Sequence, residues 1–513
     1  RTGKPLDAVH VRWPQRLTLD ALSVPGGVLA KEYAQHAYRI YKLEPAMAPD
    51  ERRTMTFATT LEQRGFSNSR PLTRIVENGT FVDNTEITPS LGMSRDGLLQ
   101  ERAKRRKHGL EPELRPAKLE DDGARARNVL RGDAEWVTAD ITVTTDADQT
   151  PVAPGTTVGD TTANGRRTVR FRTDAPIIPF FSVQSARYAV RRDRWNDVDL
   201  AVYYHPPHAY NVERMLSAMK LSLEIFSERF SPFQFRQARI LEFPGYANFA
   251  QSFANTIPYS ETIGFIFNHA ASPEKIDMVT YVTAHEIAHQ WWAHQVVPSD
   301  QQGATMLVES LAQYSALLVM EHMYGRDQVR RFLKYELDRY LRGRGGEVVE
   351  ELPLARVENQ PYIHYQKGTL AMYWLREVVG EAAVNRALQR LIRQYAFKPA
   401  PYPNTRDLLQ LLREEAGPQH APLIEDLFER ITLYDMKARD AVVTRRPDGR
   451  YEVTFTVEGR KLYADGKGRE TEAALDEAFD IGVFAEEPGR KEFTKASVLA
   501  FERRAMKSGA QQV

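Results

Sequence analysis

The sequence predicts a multidomain α+β protein with β-rich ends and a mainly helical middle. Short strand-like stretches separated by turn residues fill the first part of the chain, and apolar residues then recur at helical spacing. Strand-like alternation returns near the end, and 513 residues exceed one ordinary domain. We therefore expect a β-rich domain over 1–205, a helical domain over 206–434 and a small β-sandwich over 435–513.

Composition narrows the class of protein. The net charge of +1 indicates neither a nucleic-acid partner nor an anionic membrane surface. Because the chain has no cysteine, disulfides and thiolate metal sites are excluded, and any transition metal must be held by histidines and carboxylates. No apolar run reaches the roughly 18 residues of a membrane span, and no signal peptide is recognisable. The start at Arg1 and the polar end suggest a fragment or a processed form.

The N-terminal region combines several local patterns. Helical spacing predicts a helix over 29–43, and strand character predicts strands over 52–60, 72–77 and 79–84. The highly charged stretch 101–122 is typical of a solvated loop or helix face rather than of a binding patch.

Later segments have clearer periods. Alternation predicts strands over 134–145, 167–172, 201–204 and 451–457. Helical spacing predicts helices over 212–230, 276–292, 305–324, 326–341, 365–379, 381–395 and 407–415.

One short motif carries metal chemistry: His285-Glu286-Ile287-Ala288-His289. On a helix, residues four apart share a face, so the two imidazoles can bind one ion. The glutamate beside the first ligand can activate a metal-bound water. The motif therefore predicts a hydrolytic zinc centre with Glu286 as general base.

A catalytic zinc needs a third protein ligand and an open position. Glu309 lies in an otherwise apolar helical stretch, where a lone buried charge needs a partner. Glu321, further along the same stretch, is the alternative. We expect Glu309 to complete the set with His285 and His289.

These residues together resemble the gluzincin aminopeptidases, the group of aminopeptidase N and leukotriene hydrolase. The resemblance rests on the His-Glu-x-x-His motif, on His289-Gln290-Trp291-Trp292, and on the sequence from Glu309 to Tyr314. The connecting segment 290–308 is one residue longer than in the family. The resemblance implies a thermolysin-like helical catalytic domain, one Zn²⁺ per chain and hydrolysis of peptides.

Further site residues follow from the same resemblance. Tyr365-Gln366-Lys367-Gly368 matches the family segment whose tyrosine stabilises the oxyanion, and Tyr362 is the alternative donor. The family's Gly-Ala-Met-Glu-Asn segment is absent. Glu261, in Tyr259-Ser260-Glu261-Thr262, stands in its place and is predicted to bind the amine of the substrate. Segment 255–257 is expected to lie beside the peptide as an edge strand.

Three functions are consistent with these residues: an aminopeptidase, a zinc endopeptidase with the same site, and a peptide-binding domain coupled to a transporter. An endopeptidase has no use for an amine anchor, so Glu261 favours the first. The resemblance extends to a bacterial subgroup fused to an ABC-transporter-type permease. It implies an extracytoplasmic soluble domain whose parent is tethered to the membrane by segments outside this sequence.

Overall fold

The computed structural model describes residues 4–62, 74–93, 97–268, 271, 276–488, 490 and 492–513. Strands dominate the N-terminal part, helices the middle and strands again the C-terminal part, as the sequence predicts. In the N-terminal part the strands are β1 Leu6–Arg12, β2 Thr18–Ser23, β3 Gly27–Tyr33, β4 Tyr38–Met47, β5 Thr56–Thr60, β6 Thr80–Asp83, β7 Ser90–Leu91, β8 Asp140–Asp146, β9 Thr150–Val152, β10 Thr156–Ala163, β11 Arg166–Arg172 and β12 Ser182–Ala186. The helices there are α1 Asn84–Ile87 and α2 Arg102–Lys107.

The N-terminal strands form several small sheets. Their orders are β3-β4-β1-β7, β10-β11-β8, β6-β12-β9 and β2-β5. The sheet β6-β12-β9 lies against the middle of the chain, where Phe81 packs on Phe243 and Phe253. This contact joins the N-terminal part to the region that carries the metal-binding motif.

The helix predicted over 29–43 is wrong. The segment forms β3 and β4, joined by a short 3-10 turn and by Ala37, which has a φ of 49°. Strand β4 pairs with β3 on one side and with β1 on the other, where Tyr41 lies opposite Val9. Pairing on both sides outweighs the helical spacing of the apolar residues.

Other N-terminal expectations fare better. A strand occupies the last part of 52–60, and β6 lies within 79–84. Of the strand expected over 72–77, residues 72 and 73 lie outside the described residues, and 74–77 form no strand. Within the charged stretch 101–122, α2 is largely exposed, but Arg105 is buried and donates to the carbonyl oxygens of Leu99 and Glu111.

The middle of the chain begins with a mixed sheet and continues with helices. Its strands are β13 Ala189–Trp195, β14 Val198–Tyr204, β15 Gln237–Phe243 and β16 Thr256–Ser260. Its helices are α3 Val212–Arg229, α4 Met278–Ala288, α5 Leu311–Tyr324, α6 Arg326–Gly345, α7 Gly368–Val379, α8 Glu381–Tyr395, α9 Thr405–Ala416 and α10 Ala421–Ile424. Three π-helical turns, Met306–Ser310, Tyr362–Lys367 and Glu425–Glu429, adjoin α5, α7 and α10. All seven predicted helices in this region are confirmed, with boundaries shifted by a few residues.

The four-stranded sheet positions the site. Its order is β13-β14-β15-β16, with β13 antiparallel to β14 and the last three strands parallel. Helices α3, α4 and α5 pack with the sheet into one apolar core that includes Leu216, Ile240, Ile287 and Leu317. The metal-binding helix α4 is therefore held on nearly every side.

The C-terminal part contains two sheets. Strands β17 Ile431–Arg445, β18 Tyr451–Ala464, β19 Glu470–Ala473 and β22 Gly509–Gln512 form one, and β20 Asp476–Phe484 pairs with β21 Val498–Lys507 in the other. The sheets share a core around Val457, Leu475 and Met506, as a β-sandwich requires. None of the helices described here is long and apolar enough to cross a bilayer.

Candidate metal centre and active site

The motif His285 to His289 lies at the end of α4. The Asp277 side chain caps the start of this helix by accepting from the backbone N–H of Thr280. The N–H of His289 still donates to the carbonyl oxygen of His285, over 3.2 Å, so helical geometry persists through the second histidine. The two imidazoles therefore share one face, as the spacing predicts.

The three predicted ligands converge. The Nε2 atoms of His285 and His289 lie 3.0 Å apart. The Oε2 atom of Glu309 lies 3.2 Å from Nε2 of His285 and 3.4 Å from Nε2 of His289. Ligands about 2.1 Å from a tetrahedral zinc are separated by roughly 3.3 Å, so this set fits one zinc ion.

Local structure explains how Glu309 reaches the histidines. It lies in the π-helical turn Met306–Ser310, which leads directly into α5. Such turns widen the helix and change the direction of a side chain, and they are common at functional sites. The alternative ligand, Glu321, instead forms a two-pronged ion pair with Arg376, at 2.7 and 2.8 Å.

The electrostatics of these side chains match those of a cation-binding set. Burial alone would raise the pKa of Glu309, but the facing imidazoles of His289 and His285 hold it well below its usual value. Burial alone would lower the pKa of His289, but the Glu309 carboxylate raises it to about 9. Glu309 Oε2 is buried between the two imidazole Nε2 atoms, and His289 Nδ1 lies 3.1 Å from the carbonyl oxygen of Trp292. That second contact orients the ring, as is usual for metal-ligating histidines.

Glu286 is buried beside the ligands. Burial raises the pKa of its carboxyl group, and the neighbouring histidines oppose this rise. The Ser252 hydroxyl donates to the backbone carbonyl of Glu286 over 2.8 Å. The residue is thus fixed next to the metal ligands, where a general base is required.

Tyr365 lies at the same site. Its ring centroid is 5.8 Å from that of His285, and its pKa is raised by burial and by the Glu309 carboxylate. The phenol is therefore a hydrogen-bond donor at any ordinary pH. Tyr362, the alternative, packs instead on Tyr340 and lies 3.5 Å from the Gln360 amide.

A close approach of two turns brings Tyr365 to Glu309. The Ser310 hydroxyl donates to the carbonyl of His364 over 2.5 Å, which joins the two π-helical turns. A Cβ atom on Gly368 would lie 2.2 Å from Ser310 Oγ, so only glycine fits there. This contact gives a physical reason for the glycine of the Tyr-x-Lys-Gly segment.

Sequence reasoning missed His364. Its buried side chain stacks edge-on against Tyr365, with ring centroids 4.5 Å apart, and its Nδ1 has no partner among the described residues. Burial lowers its pKa to about 4, partly against the Glu309 carboxylate, so the ring is neutral. In the sequence, the only indication that His364 belongs to the site is that it precedes Tyr365.

The edge of the sheet differs from the prediction. Segment 255–257 is not the edge, because 250–253 runs antiparallel along the outside of β16, with bridges from Ala250 to Tyr259 and from Phe253 to Thr256. Asn255, with a φ of 51°, forms the turn between them. The segment 250–253, rather than 255–257, therefore forms the outer edge of this sheet.

Residues beside the motif hold this edge segment. The Gln290 amide donates to Ser252 Oγ and to the carbonyl of Phe253, at 2.7 and 3.0 Å. His294 Nε2 lies 3.1 Å from the carbonyl oxygen of Ser252. Sequence reasoning missed these contacts, which fix the edge segment against the metal-binding helix.

Glu261 lies in a different cluster. Its Oε1 accepts from the N–H of Gly245 over 2.7 Å, and its Oε2 lies 3.7 Å from His208 Nδ1. Glu261 forms one group of possible metal ligands with His208 and Glu242. The predicted zinc ligands His285, His289 and Glu309 form a second group. The structure thus gathers five of the six predicted site residues, and the role of Glu261 as an amine anchor stays a prediction.

Part of the chain that carries these residues matches a known protein family. Residues 214–430 match the model of the peptidase family M1 domain. Aminopeptidase M1-B of Oryza sativa subsp. japonica is 25% identical over 206 residues, and aminopeptidase M1-A of the same plant is 26% identical over 208. Each match covers 38% of this chain and 23% of the relative, so the matched region is less than a quarter of the relative's length.

Two solved structures share the fold. The M1 zinc metallopeptidase of Deinococcus radiodurans superposes with a TM-score of 0.55 at 17% identity, over 83% of this chain and 86% of that one. Aminopeptidase A of Legionella pneumophila, in complex with aspartic acid, gives a TM-score of 0.60 at 13% identity, over 99% of this chain and 52% of that one. The part of the chain that matches the peptidase family M1 domain, residues 214–430, includes both histidines, Glu286, Glu309 and Tyr365.

Proposed function

We propose that this protein is a zinc-dependent aminopeptidase, which removes residues from the N-terminus of peptides. The observation that carries the proposal is the convergence of His285 Nε2, His289 Nε2 and Glu309 Oε2 within 3.4 Å of one another, beside a buried Glu286. Two imidazoles, one carboxylate and an adjacent glutamate are the parts of a zinc peptidase.

The chemistry divides between metal and protein. Bound zinc would polarise the scissile carbonyl and make a water molecule more acidic. Glu286 takes the proton from the attacking water and later delivers it to the departing amine. The upward shift of the Glu286 pKa suits both steps. A group that must first accept a proton and then donate it works best when its pKa is close to the working pH.

Tyr365 and the edge segment act on the substrate. The Tyr365 phenol, protonated at working pH, donates to the oxygen that becomes negative as water attacks. An extended peptide would pair with the outer side of this segment before Ser252, because the Ser252 carbonyl is already held by His294 Nε2 and the N–H groups of Gln251 and Phe253 bond to β16. Such pairing would fix the peptide's direction relative to Glu286.

Relatives support exopeptidase action. The two rice proteins are named aminopeptidases, and the Legionella enzyme is an aminopeptidase in complex with aspartic acid. A mutant of the Deinococcus radiodurans M1 zinc metallopeptidase is bound to the substrate Tyr-Ser-Ala, and a mutant two-domain M1 zinc metallopeptidase is bound to L-tryptophan. A short peptide is a substrate, and a free amino acid is a product, of N-terminal cleavage.

The test compares one short peptide with a free and with an acetylated N-terminus, using zinc-loaded protein. We expect cleavage of the free peptide alone, and none by the Glu286→Gln variant at equal zinc content. Equal cleavage of both peptides would instead make the protein an endopeptidase. No cleavage of either, with zinc bound, would favour the peptide-binding role coupled to a transporter.

Glu261 has its own test as the predicted amine anchor. If its carboxylate pairs with the substrate ammonium, Glu261→Gln raises KM for free peptides and leaves the zinc content unchanged. Glu213→Gln is a matched control, because that carboxylate is 71% exposed and pairs only with Arg191 among the described residues. An unchanged KM would contradict the anchor role.

A separate proposal concerns location. The resemblance to the permease-fused bacterial subgroup supports an extracytoplasmic domain whose parent is held at a membrane. Fractionation of the source cells, with an antibody to this domain, tests the proposal. We expect the protein in the membrane fraction, and we expect protease added outside the cytoplasm to digest this domain. Recovery of the protein in the cytosol would contradict the proposal.

A further inference from the structure

A second cluster of metal-ligating side chains lies where three parallel strands end. His205 and His208 follow β14, Glu242 is the penultimate residue of β15, and Glu261 follows β16. Because β14, β15 and β16 are parallel neighbours, these residues meet at one edge of the sheet. Ligands bind preferentially in the crevice outside the carboxyl ends of such strands.

The donor atoms of the cluster face one another. His208 Nδ1 contacts Glu242 Oε1 and lies 3.7 Å from Glu261 Oε2. One ligand atom from each of the three residues lies within 4.8 Å of the other two. His208 and Glu242 are in direct hydrogen-bond contact, and the Glu261 oxygen is close enough for all three atoms to face one point.

Backbone groups fix the other oxygen of each carboxylate. The N–H of His205 donates to Glu242 Oε2 over 2.6 Å, and the N–H of Gly245 donates to Glu261 Oε1 over 2.7 Å. Each carboxylate therefore keeps one oxygen turned toward His208. Outer hydrogen bonds of this kind are the usual support of a metal site.

The cluster brings two acidic side chains together with few partners. Glu242 is completely buried, at 0% exposure, and Glu261 is close to it. In the part of the chain that the structure describes, no lysine or arginine forms an ion pair with either carboxyl group. A buried, uncompensated carboxylate is costly, whereas a divalent cation would neutralise the remaining charge.

His205 adds an independent observation. Its side chain is nine-tenths buried, and its Nε2 has no hydrogen-bond partner within the described ranges. Its ring lies edge-on to that of His208, with centroids 6.1 Å apart. His205 thus leaves a buried polar atom unsatisfied close to the cluster, outside the three residues whose ligand atoms converge.

We propose that His208, Glu242 and Glu261 form a second site for a divalent transition-metal ion, separate from the catalytic centre. A donor set of one imidazole and two carboxylates suits zinc better than calcium or magnesium, which prefer oxygen alone. The site would fasten the ends of β15 and β16 beside the catalytic helices. It rests on the geometry of the sheet and does not depend on the proposed peptidase activity. Glu261 then serves the cation rather than the substrate amine.

Zinc content of the purified full chain is the first readout. After equilibration with micromolar zinc and removal of the excess, we expect two zinc ions per chain in the native protein and one in His208→Ala and in Glu242→Gln. Turnover is retained in both variants, because neither residue belongs to the catalytic machinery. His36→Ala, which removes an exposed histidine, is the matched control and keeps both ions.

A second measurement covers variants that fold poorly. In Glu309→Ala, which disables the catalytic site, added zinc should still raise the melting temperature, and this rise should vanish when His208→Ala is added. One zinc per native chain, or no zinc-dependent rise in Glu309→Ala, would overturn the second site.

Glu261→Gln separates the two roles assigned to this residue. Loss of one zinc with an unchanged KM for free peptides supports the second metal site. Retention of both ions with a raised KM would overturn its part in the site and support the amine anchor. In either case the activity of the native protein on free peptides tests the proposed function independently.

Discussion

At the scale of single residues, catalysis depends on a few atoms that are held rigidly. Glu286 is buried, pinned through its backbone by Ser252, and adjacent to the ligand His285. Tyr365 reaches the same point from another turn, 5.8 Å from His285 between ring centroids. The two residues have different tasks, so their replacements should differ in effect.

Glu286→Gln should abolish proton transfer while leaving the metal in place. Turnover is expected to fall about 100- to 10,000-fold, because the amide cannot accept a proton. Zinc content, measured beside the rate, should stay at the native value, since the three ligands are untouched. A variant with near-native turnover would show that another group is the base.

Tyr365→Phe removes one hydrogen-bond donor to the developing oxyanion. We expect kcat to fall about 100- to 1,000-fold with little change in KM, since the bond strengthens in the transition state. Tyr362→Phe is the matched control, because its hydroxyl lies near Gln360, and it should leave kcat near the native value. The reverse pattern would assign the oxyanion to Tyr362.

Sequence alone predicted the ligands and the base because their chemistry is local. His285, Glu286 and His289 stand within one helical turn, and Glu309 is a charge in an apolar stretch. His364 and the pinned edge segment were missed because they depend on how two turns and a strand pack. Glu261 was chosen by its position in the sequence, whereas its neighbours His208 and Glu242 are set by the sheet.

At the scale of elements, π-helical turns present the active side chains. Glu309 and Tyr365 each lie in such a turn at the start of a longer helix. Helical periodicity predicted both helices but not the widened turns. One extra residue in a turn changes the spacing of the apolar residues too little to be recognised in the sequence. The mistaken helix over 29–43 has another cause: its residues gain more from pairing in a sheet than from their own spacing.

Lys367 gives a test of the Tyr365 turn. Its Nζ is buried without a partner among the described residues, and burial lowers its pKa to about 8. The pKa of Lys367 is lower in the folded state than in the unfolded state. The folded state therefore loses stability as the pH falls from about 10 to 8, and this loss remains at lower pH. A shift of this size corresponds to about 3 kcal/mol.

Lys367→Met should therefore raise the free energy of unfolding at pH 7 and raise it much less at pH 10. Urea denaturation at the two pH values measures both. Lys334→Met, an exposed lysine on α6, is the control and should show no such difference. Equal effects at both pH values would show that Lys367 is charged and stabilised in the fold.

At the scale of the whole molecule, a buried ion pair joins the helical part to the C-terminal sheets. Lys461 on β18 contacts Asp426, in the turn after α10, and Glu477 on β20. Lys461 and Asp426 are almost fully buried, with side-chain exposures of 6% and 5%. This contact joins two regions whose structures were predicted separately. Local sequence patterns do not predict contacts between residues so far apart in the chain.

Lys461→Ala should destabilise the protein by about 3–5 kcal/mol, because two carboxylates lose their buried partner. Arg460→Ala, the adjacent residue on the same strand, breaks only an exposed pair with Glu472 and should cost less than about 1 kcal/mol. Thermal unfolding of both variants compares them directly. Similar losses would show that the C-terminal sheets depend little on Lys461.

The central claim is that His285, His289 and Glu309 hold the zinc on which hydrolysis depends. The most direct measurement is the zinc content and peptidase rate of Glu309→Ala and Glu321→Gln, taken on the folded fraction of each. Glu309→Ala should lose one zinc and about 1,000-fold or more of its rate, while Glu321→Gln keeps both near the native values. If Glu309→Ala keeps its zinc and its activity, and Glu321→Gln loses them, the assignment of the site is wrong.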